Sequence, residues 1–381
     1  MAHLPLLRLL AACLAILHCH KALAQDDTIT APANRARTFY AVNADPLWDF
    51  NAAAGPASEL PLFLAMLKKS QAGAVRIPVR WQVLEPKQGE WNFARMDEIM
   101  QSIPADVQVL GVLMSIPAWA NGQDPEKAVG WFDAYPPKDL ENWSQAVEKI
   151  VDRYKGRVSH WEIWNEQNGI DFYRPRPDAK EYTELLKRAY TAAKKADPRC
   201  TVVLGGLQMN GILANPWSDV KVENYLEDLY KAGAKPYFDI CNIHPYVLPA
   251  EGAAQMMKLT RDTLALMNRY GDGAKSLWLT EVGCGAVNAQ ERKAQAELLR
   301  DTMELAARER RIGRVFWFTL RDKERDLLGP ESSMGIFTFA GEAKPALDAF
   351  TGAAARAGGE TGVTDRINQV QDSPSQRSCT P

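Results

Sequence analysis

The 381 residues contain no basic run, no CxxC pair and no clustered His/Cys spacing, and only five histidines in all. Nucleic acid needs a cationic footprint, and a formal net charge of −2 supplies none. Structural zinc needs closely spaced soft ligands, so no such site is expected; the reaction the later motifs imply requires neither a metal nor an organic cofactor. Long apolar runs are also missing, apart from Leu9 to Leu17. That stretch follows His3 and Arg8 and leads to Ala22-Leu23-Ala24, a small-x-small cleavage pattern. It is too short to span a bilayer comfortably, so residues 1–24 read as an export signal, with no membrane span after cleavage. The mature chain is then expected in the periplasm or outside the cell.

Cysteine is sparse. Of six, Cys13 and Cys19 leave with the signal, and Cys200, Cys241, Cys284 and Cys379 remain. Export favours disulfides, but four cysteines allow three complete pairings. Cys200 and Cys241 fall on or near neighbouring strands and are the first pair to test; buried free thiols are the equal alternative.

What is abundant is apolar sequence, at 46%, arranged in alternating β-prone and helix-prone segments. Strands are expected at 38–43, 74–78, 107–115, 158–165, 201–205, 237–244, 277–281 and 314–319. Helices are expected at 60–71, 96–102, 140–154, 180–196, 222–232, 253–270, 290–310 and 344–355. Eight strands and eight helices in strict alternation predict a single (β/α)8 TIM barrel over 25–356. Near-continuous apolar strands fit a sheet covered on both faces. An open doubly wound sheet is the alternative, but the first strand-to-helix turn lacks its glycine fingerprint. Surplus length sits in loops after strands, notably 79–92, 116–139, 206–221 and 320–342, at the catalytic face of a barrel. Residues 357–381, rich in Gly, Thr, Asp, Gln and Ser, read as a flexible tail.

Two strands end in a single acid: WEIWNEQN at 161–168 carries Glu166, and LWLTEVG at 277–283 carries Glu281. A carboxylate at the C-terminal end of a barrel strand lies at the mouth. A pair about 5–5.5 Å apart can hydrolyse a glycosidic bond with retention, one as nucleophile and the other as acid/base. Either glutamate alone could instead be an ion-paired strand end.

Trp164-Asn165-Glu166 resembles the acid/base motif of clan A retaining glycoside hydrolases, and Leu279-Thr280-Glu281-Val282-Gly283 resembles their nucleophile strand. Within the clan the chain is most similar to family 39, including bacterial enzymes acting on exopolysaccharide, with family 5 as near neighbour. The resemblance implies a barrel with its acids on strands four and seven, acting on a polysaccharide or oligosaccharide. It implies Glu166 as acid/base and Glu281 as nucleophile, with Asn165 bonding the sugar 2-hydroxyl. Tyr246 in HPY would bond the nucleophile, His244 would line the pocket or, as a near-equal alternative, be a satisfied core histidine, and Arg76 in VRIPVRW would keep Glu281 ionised. Trp317 would be the platform under the sugar. Gln167 departs from the proline common after the acid. Arg80 and Glu162 read as structural ion-pair residues.

Eleven tryptophans suit sugar stacking, since apolar C–H faces pack on aromatic rings. Trp81 and Trp119 are candidates for binding, Trp131 is undecided, and Trp161 and Trp278 are assigned to the core. The expected function is a secreted retaining β-glycoside hydrolase, endo-acting on a polysaccharide, with a monomeric chain. Exo-action on small glycosides and a non-catalytic glycan-binding barrel are the alternatives. A barrel acting on phosphorylated metabolites would show a glycine-rich phosphate loop after strand seven or eight, and Gly283-Cys284-Gly285 is too short for one.

Overall fold

The computed structural model describes residues 38–49, 59–208, 222–323 and 332–355. The expected export signal, the C-terminal tail and Cys379 lie outside the described residues. Eight parallel strands close a barrel in sequence order: β1 Tyr40–Asn43, β2 Ala74–Arg80, β3 Gln108–Met114, β4 His160–Asn165, β5 Thr201–Gln208, β6 Cys241–His244, β7 Leu277–Val282 and β8 Ile312–Trp317. Closure is direct, with Ala41 of β1 paired to Phe316 of β8. The expected strands all form. Their ends differ: β2 and β5 run further, and Lys235–Tyr237 is a 3-10 turn rather than the start of β6.

Seven outer helices follow as α1 Leu60–Ser70, α2 Ala94–Ser102, α3 Leu140–Arg153, α4 Ala179–Ala196, α5 Val222–Lys231, α6 Gly252–Arg269 and α7 Ala289–Arg308, and an eighth, α8, spans 345–355. Their starts are written in side chains. Asp139, Asp178 and Asn288 each accept from backbone N–H groups of the first turn of α3, α4 and α7. Helix α3 then buries Trp143, Ala146, Val147, Ile150 and Val151, a stripe at helical spacing that faces the barrel wall. Among the described residues no helix is long and apolar enough to cross a membrane.

The lumen has two levels. At the lower level, Ala41, Ala74, Leu110, Val203, Ile240, Trp278 and Phe316 form an apolar plug separate from the main core. Two residues further along β1, β2, β6 and β7, alternation brings Asn43, Arg76, Asn242 and Thr280 inward, and β4 adds Glu162, all buried. The site stands on that polar layer.

Cys200, Cys241 and Cys284 are free and buried. Neither Cys200 nor Cys241 takes part in the suggested pair; both are small wall residues. Burial pushes the Cys200 thiol up to about 11 and the Cys241 thiol up to about 12, so neither is a reactive thiolate at neutral pH.

Candidate active site

Local backbone irregularities aim both acids at the mouth. On β4, Trp164 has φ 74° and Glu166 φ 49°, a left-handed conformation that costs an L-residue roughly 1–2 kcal/mol. The kink sends Trp164 outward, where its indole N–H donates to the Phe172 carbonyl at 2.7 Å, and leaves Asn165 facing in. It is held by Glu166 N–H donating to Gly206 O at 2.9 Å. On β7, the pairing with β8 shifts register between Leu279 and Val282. A bulge there re-aims side chains, so that Thr280 and Glu281 both reach the interior network.

The two acids meet. One carboxylate oxygen of Glu166, one of Glu281 and a ring nitrogen of His244 lie within 4.8 Å of one another. This is the short carboxylate spacing of retaining glycosidases, too short for the water that inversion places between them. The three side chains could also supply ligand atoms to a cation, though each is already engaged by protein partners.

Arg76 organises the nucleophile side. Its guanidinium donates to Glu281 Oε1 at 2.5 Å, to Glu162 at 2.7 and 3.0 Å, to Asn165 Oδ1 at 2.7 Å and to Asn43 Oδ1 at 3.0 Å. Tyr246 donates its hydroxyl to Glu281 Oε2 at 2.7 Å. Burial favours the neutral acid at Glu281, but His244, Arg76 and the Tyr246 hydrogen bond outweigh it and hold the carboxyl below the usual range. The His244 contribution requires an imidazolium. Burial drives His244 down to about 4, so above that pH Arg76 and Tyr246 carry the effect. Arg76 itself is pulled down by burial and pushed up more strongly by Glu162 and Glu281.

On the acid side His244 Nδ1 lies 2.8 Å from Glu166 Oε1, and Nε2 lies 2.9 Å from Thr280 Oγ1. His244 is fully buried. It stands behind the acid as a satisfied core histidine, the alternative to lining the pocket. Gln167 is also buried and donates to Gly205 O at 2.8 Å, tying the residue after the acid to β5.

Two aromatic expectations need correction. Trp317 is buried in the outer core, its indole N–H donating to Met334 O at 3.0 Å, so it offers the mouth no face. Strand alternation is the reason: Phe316 and Phe318 face the lumen and Trp317 points between helices. Partly exposed Phe318 is the aromatic at the mouth, with its ring edge-on to Tyr246 at 6.4 Å. Trp81 is likewise buried, bonded to Glu85 and packed on Trp119 and Trp143. Trp119 keeps partial exposure, but its N–H is held by Glu85 O at 3.0 Å. Trp131 is exposed against Phe172, while Trp161 and Trp278 are core as expected. Arg80 pairs with Asp45 at 2.5 Å.

Asn43, Asn242, Phe318 and Gly206 join the site without belonging to any motif, and Thr280 joins it from within the nucleophile-strand motif, where it had been given no role. Only Gly205-Gly206 signals itself, because paired glycines inside a strand mark a close approach. A Cβ on Gly206 would fall 2.0 Å from His244 Nε2. Gly206→Ala is therefore expected to push His244 off both partners and lower kcat at least tenfold, at a stability cost of roughly 1–3 kcal/mol. Wild-type kcat in a variant that melts normally would contradict this packing.

Residues 79–267 match "Glycosyl hydrolases family 39". The beta-galactosidase LacZ of Lactobacillus acidophilus is 21% identical over 201 residues, covering 48% of this chain and 29% of its own length. The chain thus spans about a third of the length of that curated relative. A family 39 glycoside hydrolase from the gut symbiont Bacteroides cellulosilyticus superposes with a TM-score of 0.63 at 21% identity, covering 84% of this chain and 64% of its own. GH5_18 from Streptomyces cattleya, in complex with Manb1-4GlcNAc, gives 0.63 at 15% identity, covering 89% of this chain and 82% of its own.

Proposed function

We propose that the chain, which is similar to family 39 of the glycoside hydrolases, is a retaining O-glycoside hydrolase working by double displacement. The carrying observation is that two buried carboxyl groups approach within 4.8 Å across one barrel mouth. Their surroundings differ in a way that divides the labour. Glu281 receives a guanidinium and a phenol, both of which favour the ionised nucleophile. Glu166 faces a neutral imidazole.

In the first step Glu281 attacks the anomeric carbon while Glu166 gives its proton to the departing oxygen. In the second, Glu166 takes a proton from water, which displaces Glu281 from the sugar. Asn165 Oδ1 is engaged by Arg76, which leaves its amide N–H groups to donate to a sugar hydroxyl. Phe318 replaces Trp317 as the ring on which the sugar stacks. Export to the periplasm or beyond, and endo-cleavage of an exopolysaccharide or other polysaccharide, complete the reading. The catalytic-face loops and the exposed Trp131 on one of them support a long substrate.

A panel of 2-deoxy-2-fluoro glycosides with activated leaving groups tests it directly. Mass spectrometry should find the label on the peptide carrying Glu281; label elsewhere, or on no peptide with any sugar, would overturn the mechanism. Glu166→Ala is expected to lose roughly 10²–10⁴-fold on substrates with poor leaving groups. Much less should be lost on activated aryl glycosides, and azide should restore turnover by displacing Glu281 directly, because this anion needs no general base. Equal loss on both substrate types would reverse the assignment.

A further inference from the structure

The contacts of His244 determine where its proton sits. Asn242 Oδ1 faces the Thr280 backbone N–H at 3.2 Å and the Thr280 hydroxyl at 2.9 Å. A backbone N–H can only donate, so the atom facing it is the amide oxygen, not the nitrogen. The Thr280 hydroxyl has one proton and two neighbours, Asn242 Oδ1 and His244 Nε2, each at 2.9 Å. Were that proton given to Nε2, two oxygens would face each other at 2.9 Å with no hydrogen between them. Given to Asn242, it leaves Oγ1 to accept from Nε2–H, and every contact has one proton.

A neutral imidazole with its hydrogen on Nε2 has a lone pair on Nδ1. That lone pair points at Glu166 Oε1, 2.8 Å away. The contact needs a hydrogen, and the carboxyl must supply it.

We propose that Asn242 and Thr280 are positioning residues that fix the tautomer of His244 and thereby keep Glu166 protonated before catalysis. The surroundings agree on every side. Glu281 on β7 is 3.8 Å from Nδ1, and Arg76 on β2 with Glu162 on β4 complete the charges that act on the ring. The Tyr246 hydroxyl is committed to Glu281. Burial opposes an imidazolium, so the proton stays on oxygen rather than passing to the ring. After Glu166 releases its proton to the leaving oxygen, its carboxylate faces a lone pair. That repulsion favours recovery of a proton from the attacking water in the second step.

The proposal rests on the acid role given to Glu166, and two measurements separate the fates of the two ideas. In the full chain labelled with 15N-histidine, the Nε2–H tautomer of His244 is expected at pH 7, with His244→Asn assigning its signals. This readout needs no turnover, so it stands even if no glycoside is hydrolysed. In activity, Thr280→Val frees Nε2, and the ring is expected to place its proton on Nδ1 opposite an ionised Glu166. The alkaline limb of kcat/KM should then move at least one pH unit lower, with the loss greatest on poor leaving groups. Thr280→Ser, which keeps the hydroxyl, should restore the wild-type limb. A wild-type Nδ1–H tautomer, or an alkaline limb unmoved in Thr280→Val, overturns the proposal.

Discussion

Glutamine at position 281 is expected to lower kcat by roughly 10⁴-fold or more while leaving the fold intact. The amide matches the carboxylate in shape, so packing at the end of β7 is conserved. What it loses is the negative oxygen that must attack the anomeric carbon, and no neighbour can substitute. Glu162 is bound to Arg76 one layer down, and Glu166 is assigned to the leaving group in the proposed mechanism. Arg76 retains Glu162, Asn43 and Asn165 in the variant, so no buried cation is stranded. Thermal melting should therefore stay within a few degrees of wild type. Residual activity above one per cent, free of wild-type contamination, would place the nucleophile elsewhere.

Arg76→Met should damage stability and pH dependence together. The guanidinium sits between Glu162 and Glu281, both buried. Removing one partner of a buried ion pair typically costs about 3–5 kcal/mol, because the remaining charge is left without compensation. Glu281 now sits below the ordinary carboxylate range, so it stabilises the fold at pH values above that range and loses this as pH falls through its folded value. In the variant its pKa rises above the unfolded value, and the sign reverses: acidification should stabilise the variant where it destabilises wild type. The acid limb of kcat/KM moves to higher pH in parallel, because the nucleophile must be ionised. Urea melts between pH 4 and 8 check the first effect and rate profiles the second. Parallel stability curves for the two proteins would show that Arg76 does not govern Glu281.

The barrel was legible because its strands and helices differ in period, and their strict alternation admits few other folds. Glu166 and Glu281 were legible because each ends an apolar run. The aromatic platform was not. Whether Trp317 or Phe318 faces the lumen depends on pleat phase at the last residue of β8, where a one-residue slip exchanges the two faces. Counting from Phe316 in the plug resolves it, but the plug itself is known only once strands are in register. Trp81 failed for a different reason. The chain turns into a single helical turn, Trp81–Leu84, directly after β2 and folds the ring under Trp119 against Trp143. Asn242 looked like an ordinary strand residue and Thr280 like a spacer in the nucleophile motif, since their importance lies in contacts between β6 and β7.

Two carboxylates, Glu162 and Glu281, share the one cation of Arg76. With Glu166 protonated as proposed and His244 neutral, this cluster carries one unit of negative charge. A sugar ring acquiring oxocarbenium character sets its positive charge against that negative unit, while the compensating negative charge goes to Glu166 as it gives up its proton. Protonated nitrogen heterocycles of sugar shape should exploit the same negative unit. Their binding should weaken as the pH falls toward protonation of Glu281.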